Sequence, residues 1–334
     1  MAHRFTPVLL AAAIALLAPL HAAEMQTPLA FASIAELEAR APTENQYPKV
    51  DPRFHQELVR LVESNILATG DDFFRAANIA SGPFPEYRSF RMRYELMLVA
   101  AAKGKREAEN QLPSSWDALL QTLGRPMRYD VWDQIQKSPD DDRLTLDPAP
   151  KAVQMVMLHP DDARNAAAKG PNNAEVQKIV DADQEVRKRL GQLSETKLKA
   201  MPIEDHQRNL RIRAIINSGE LHTAGDFENA SLVMQHSSSF AGFELAHELA
   251  VCSMLLGDRG VGRWLVAATY DRMLNSIGHD QRFGTQGALM AMGNAKPHLA
   301  ETDETGICDG ERLALGCPTL AAKRADFYTR RPND

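Results

Sequence analysis

Residues 64–76 read SNILATGDDFFRA and residues 218–230 read SGELHTAGDFENA. Ser64, Leu67, Thr69, Asp72, Phe73 and Ala76 thus meet Ser218, Leu221, Thr223, Asp226, Phe227 and Ala230 at a constant offset of 154. Outward from this stretch the match continues at offset 153, with Phe90, Glu95, Leu96, Gly104 and Arg106 falling on Phe243, Glu248, Leu249, Gly257 and Arg259. It returns to 154 where Asp117, Leu120, Gly124 and Arg128 meet Asp271, Leu274, Gly278 and Arg282. Six identities in the first 22 paired positions exceed the roughly one that ordinary composition gives. The sequence therefore reads as a unit present twice. Two copies are too few for a solenoid, which takes about three or more units, and suggest a closed pair.

Each copy has helical spacing. Phe54, Leu58, Leu61 and Val62 share one face after Asp51-Pro52, an N-cap followed by a helix-starting proline. Leu210, Ala214, Ile215 and Ile216 run to a stop at Ser218-Gly219. A short helix follows Asp72 or Asp226. A long apolar one spans Tyr87 to Ala102 or Phe240 to Leu256, and a third, opened in the first copy by Pro113-Ser114-Ser115, ends at Gly124 or Gly278. Alternating β-branched or aromatic runs are scarce. The expected fold is all-α, with two pseudo-repeated multi-helix halves packed into one compact array: residues 24–137 as a degenerate repeat and 174–296 as the repeat carrying the candidate site. Residues 138–173, rich in Pro, Asp, Ala and Lys, read as a linker. Within it only Val153 to Leu158 looks buried. Residues 24–50 read as irregular but for a short helix over Ser33 to Ala39 with Ser33 as N-cap, and 297–334 as an irregular tail.

Residues 1–23 carry Arg4, an apolar run from Val8 to Ala18, and Leu20-His21-Ala22-Ala23 before Glu24. This is the pattern of a cleaved signal peptide, which predicts an exported protein, periplasmic or extracellular. The apolar run is shorter than the roughly 20 residues a membrane span takes, and no later segment is long enough without a charge. Loss of this segment with Arg4 shifts the net charge from −6 to −7, a balance that argues against nucleic acid as a partner. In an oxidising compartment Cys308 and Cys317, flanking CDGERLALGC, are expected to form a disulfide, while Cys252 in LAVCSML reads as a buried thiol.

Where the copies disagree, the second is the more polar. His236 stands opposite Gly82, His247 opposite Tyr94, Gln281 opposite Met127 and Arg272 opposite Ala118. His247, with Glu244 three residues earlier on its helix face, has the composition of a general base with an orienting carboxylate, and His236 is the other catalytic candidate. Arg272 could grip a carboxylate or phosphate. Asp271, matched by Asp117, reads as a structural acceptor of backbone N–H groups. His247-Glu248 lacks the second histidine of a zinc-protease helix, and no other grouping has metal spacing. No metal or cofactor is expected. Ser237-Ser238-Ser239 lie beside His236 without a nucleophile elbow around them.

Residues 181–287 resemble a family of uncharacterised bacterial domains whose pattern has five parts. An Asp-Gln-x-x-Arg helix corresponds to Asp183-Gln184 and Arg187, an Asp-x-x-x-Asn step to Asp205 and Asn209, and a Gln-His pair to Gln235-His236. An Asp-Arg pair corresponds to Asp271-Arg272, and a closing Gln-x-aromatic-Gly-Thr-Gln to QRFGTQ at 281–286. Acidic residues usual in that family after Gln-His are replaced here by the three serines. The resemblance implies positions and no reaction.

The leading expectation is a polar pocket for a peptide, a protein or a small anionic ligand, built from Gln235, His236, His247, Arg272, Gln281, Thr285 and Gln286. One alternative is a hydrolytic or group-transfer enzyme with His247 as base. Another is a purely structural helical module.

Overall fold

In the computed structural model, residues 31–40, 53–80, 87–130, 146–167, 170–258, 260–288 and 298–329 are described. The predicted signal peptide lies outside them. The described residues form fourteen α-helices, one short 3-10 turn and a two-stranded ribbon, so the fold is all-α. Helix α1 covers Ile34–Arg40, α2 Arg53–Glu63, α3 Gly70–Ala80, α4 Tyr87–Ala102 and α5 Arg106–Thr122. After these come α6 Lys151–Leu158, α7 Pro160–Ala167, α8 Ala174–Lys188, α9 Glu195–Asn217, α10 Ala224–Met234, α11 Phe240–Leu255 and α12 Val261–Asn275. Strands β1 (Gly287–Ala288) and β2 (His298–Leu299) pair antiparallel, and α13 (Asp309–Ala314) and α14 (Leu320–Thr329) follow. No helix among the described residues is long and apolar enough to cross a membrane.

Helix starts and stops follow local chemistry. Thr69 accepts the Asp72 N–H at 3.1 Å while Asp72 accepts the Thr69 N–H at 2.8 Å. Thr223 and Asp226 exchange the same two bonds at 3.0 Å each. Both are reciprocal caps that satisfy amides a helix start leaves open. Beyond α4 and α11 the chain turns through Gly104 (φ 86°) and Gly257 (φ 105°). A side chain there would sit in the left-handed region, which costs most residues free energy. Ser33 accepts the Glu36 N–H at 3.2 Å, the N-cap expected of α1.

Between them α3–α5 and α10–α12 build most of the core. Trp116, Tyr94, Tyr270, Phe73, Phe227 and Phe283 are fully buried in it. Helix α6 seals one side with Val153, Val156 and Met157. Two of the acidic side chains buried in this interior, Glu95 and Glu248, are each paired with an arginine distant in sequence. Arg282 Nη2 donates to Glu95 Oε2 at 2.9 Å and its Nε to Oε1 at 2.8 Å. Arg128 donates to Glu248 through Nη2 at 3.1 Å and Nε at 3.0 Å. Trp116 Nε1 bonds Glu248 and Tyr270 Oη bonds Glu95, both at 3.3 Å. Buried charges need such partners, because an uncompensated ion in the interior is very costly.

Three expectations about organisation change. The presumed linker holds α6 and α7: apolar residues at helical spacing build α6, and Pro160 stands at the first position of α7, where its missing N–H costs nothing. The presumed irregular tail holds β2, α13 and α14. Pro113 does not open a helix: α5 starts at Arg106, with Glu107 and Glu109 in its first turn, and runs through the proline. Cys308 and Cys317 are separate buried thiols, so the expected disulfide is not formed. Burial pushes them up to about 11 and about 12 respectively. Cys252 is a buried thiol, as expected.

Candidate functional site

His247 does not face a pocket. It is fully buried on α11, with its ring against Tyr94, Trp116 and Tyr270 at centroid distances of 5.8, 5.1 and 5.3 Å. Nδ1 lies 3.0 Å from the Val266 carbonyl, which only accepts, so Nδ1 carries the proton. Nε2 then accepts from Tyr94 Oη at 2.7 Å. Burial pushes the imidazole down to about 3. The hydrogen bonds of His247 do not involve Glu244, whose carboxylate is 3.7 Å from Arg128 Nε. A sealed, neutral histidine cannot reach a substrate, and the general-base role expected of it is corrected to a structural one.

The QRFGTQ turn is likewise spent on the fold. Asp271 Oδ1 accepts from the Arg282 and Phe283 amides at 2.7 and 3.0 Å, and Oδ2 from the Thr285 amide and hydroxyl at 3.0 and 2.7 Å. Gln281 Nε2 donates to the Gln286 and Ala300 carbonyls at 3.0 and 2.8 Å, and its Oε1 accepts from the Gln286 amide at 2.7 Å. Gln286 Nε2 donates to the Ala268 carbonyl at 3.1 Å. Gln281, Thr285 and Gln286 thus pin the turn. Asp117 makes the corresponding bonds to the Arg128 and Tyr129 amides at 2.7 and 3.2 Å.

The remaining candidates meet. Gln235 caps the C-terminal end of α10, and His236 follows it. Three other helices deliver charged groups to the same place: Asp183 and Arg187 from α8, Asp205 and Arg208 from α9, and Arg272 from α12. Arg187 Nε donates to His236 Nε2 at 2.9 Å, so the ring proton is on Nδ1, which faces Asp183 Oδ2 at 3.3 Å. Arg187 Nη2 is bonded to both Asp205 oxygens at 3.0 Å, and Arg208 Nη2 takes Oδ1 at 2.6 Å. Burial lowers the His236 pKa, with Asp183 opposing it and the cations Arg187 and Arg272 adding to it. Burial, and then Arg187, lower that of Arg272. Its Nε is buried without a hydrogen-bond partner, and among the described residues no carboxylate pairs with it. Three arginines stand against two aspartates, leaving one net positive charge.

Beside this cluster is a cavity of about 400 Å³. Pro202, Asp205, His206, Asn209, Leu210 and Arg213 of α9 form one wall, and His236 to Ser239 the other. Ser239 caps α11 by accepting the Gly242 N–H at 3.2 Å. Ser237 lies across that first turn, so close that a Cβ at Gly242 would fall 1.8 Å from its Oγ. Glycine at 242 is what lets the serine segment fold over the helix start. Arg213 Nη2 donates to the Ala241 carbonyl at 3.2 Å, and among the described residues it has no acidic partner. Burial, and then Arg128, lower its pKa. Asn209 is 6% exposed, and among the described residues its Oδ1 has no hydrogen-bond partner.

Asp183, Arg187, Asp205, Asn209, His236 and Arg272, which carried the family resemblance, are therefore neighbours or line one cavity. Arg208, Arg213 and His206 were not singled out by the sequence. Arg208 is three residues from Asp205, Arg213 four from Asn209, and His206 adjacent to Asp205, so their helical spacing was the available signal. Comparisons of the chain with protein-family models, with curated proteins and with solved structures find no match. Among the described residues no group of three or more His, Cys, Asp or Glu side chains could hold a metal ion.

Proposed function

We propose that the chain is an exported recognition protein whose cavity beside His236 holds the anionic group of a ligand. One observation carries this reading: Arg213 lines the cavity without an acidic partner among the described residues. Asp205, the carboxylate in the same wall, is already held by Arg187 and Arg208. Arg272, which acts on His236 and has no acidic partner among the described residues, adds to the positive potential, and a guanidinium in a partly desolvated wall favours a carboxylate or phosphate. Export rests on the pattern of residues 1–23.

The same reading takes the chain as a duplicated unit in which one copy acquired the site. The reciprocal pairs Arg282 with Glu95 and Arg128 with Glu248 support it, because each links matching positions of opposite copies.

Titration with acetate, succinate and inorganic phosphate, followed by calorimetry and thermal shift, tests the anion site. A saturable rise in Tm that Arg213→Gln abolishes is expected. No rise with any anion would rule the reading out.

A further inference from the structure

Resting on that anion reading, we infer that the ligand places an amide N–H next to its carboxylate: it is an N-acylated amino acid or the carboxyl end of a peptide. Arg213 accounts for a negative charge and leaves Asn209 unexplained. Asn209 lines the cavity at 6% exposure, with Oδ1 unpartnered among the described residues. Buried polar atoms are nearly always hydrogen-bonded, and an exception in a cavity wall marks a missing partner. That partner must donate, because Oδ1 only accepts. A bare carboxylate has no donor to give. A peptide unit carries one, a single carbon away from its terminal carboxylate.

The geometry of α9 accommodates the pair. Asn209 and Arg213 are four residues apart, one helical turn or about 6 Å along the axis, so both face the same cavity. Between them Leu210 is 55% exposed at the rim, and exposed Pro202 lies one further turn and more towards the start of the helix. These apolar surfaces offer contact to an aliphatic side chain. Carboxylate, amide and side chain are the three parts of an acylated carboxyl-terminal residue.

Isothermal titration calorimetry with three probes tests this. N-acetyl-L-leucine has all three parts, 4-methylpentanoate lacks the amide, and N-acetyl-L-leucinamide lacks the charge. Wild-type protein is expected to bind the first at least tenfold more tightly than either of the others. Asn209→Leu, checked for folding by circular dichroism, is expected to bind N-acetyl-L-leucine no better than 4-methylpentanoate while keeping its affinity for the latter. Arg213→Gln is expected to weaken both carboxylates. Equal wild-type affinity for N-acetyl-L-leucine and 4-methylpentanoate overturns the amide inference and leaves the anion site standing. Failure of every carboxylate and of phosphate overturns both. An acetylated tripeptide ending in leucine separates the two sources: tighter binding than N-acetyl-L-leucine identifies a peptide end, and weaker binding a free acylated amino acid.

Discussion

Tyr94 and His247, 153 residues apart in sequence, share a 2.7 Å hydrogen bond in the middle of the protein. The bond joins α4 to α11, and the proton on Nδ1 is fixed by the Val266 carbonyl, so the ring is held neutral on both sides.

This neutrality makes stability depend on acid. The imidazole titrates near 6.5 in the unfolded chain and is pushed down to about 3 by burial in the folded one. Between these values the unfolded chain binds a proton that the folded chain refuses. Stability therefore falls as pH drops below 6.5, by up to about 1.4 kcal/mol per pH unit from this residue. Urea denaturation of wild type and His247→Gln at pH 7 and pH 4.5 measures it, with the variant expected to show the shallower decline.

Glu244 acts at the opposite end. Burial, and then its neighbour Glu248, hold its carboxyl above the ordinary 4.5. The folded chain keeps a proton that the unfolded chain releases, so this group's contribution is full below 4.5 and is lost as pH rises towards the raised value. Glu244→Gln, a neutral isostere, is expected to be more stable than wild type at pH 8 and about equal to it at pH 4, as read from denaturation midpoints.

Gln281 and Asp271 hold a turn, so their loss is expected to be felt in folding. Gln281→Ala removes three hydrogen bonds, two of them to backbone carbonyls. A buried acceptor left unsatisfied costs about 1–3 kcal/mol. A lowered Tm with unchanged affinity for the anions bound at Arg213 is the expected result. Weakened binding at unchanged Tm would return Gln281 to the site.

Arg272 is expected to behave in reverse. Its Nε is buried and its half-buried cation lies near Arg187 without an acidic partner among the described residues, which is a cost to the fold. Arg272→Met keeps the volume and removes the charge. It is expected to raise Tm while weakening anion binding, the pattern of a residue kept at the expense of stability.

The thiols can be counted directly. Cys252, Cys308 and Cys317 are buried and unbonded, so a thiol reagent is expected to label none in the native protein and three after unfolding without reductant. One labelled thiol after unfolding would mean that Cys308 and Cys317 had joined.

Much of the architecture was legible in the sequence because helix boundaries have chemical causes. Tyr87–Ala102 was expected as a helix and is one, and Phe240–Leu255 differs from expectation by a single residue. The site was harder to read. Asking where the two matched stretches differ selected His247 and Gln281, yet a difference can also arise inside a core. Tyr94 and His247 face each other there, so one had to accept what the other donates. Met127 and Gln281 occupy similar backbone bridges, to Leu146 and Thr302, and only the glutamine adds side-chain crosslinks. Asp183, Arg187, Asp205 and Arg208 precede the matched stretch and have no counterpart in it, so no difference between the stretches marks them. Spacing alone does not reveal that α8 and α9 converge on His236.

The crossed pairing of Glu95 with Arg282 also sets a timetable for folding. On a chain that emerges from its N-terminal end, α4 appears 187 residues before the arginine that forks onto its buried carboxylate. Glu248, by contrast, meets Arg128, a partner already made 120 residues earlier. Helices α3–α5 can form their local turns and caps early, with Arg91 of α4 3.8 Å from the Glu95 carboxylate, but the forked pair of hydrogen bonds to it comes only with Arg282. The crossed pair is therefore complete only once α12 and the turn after it have been made.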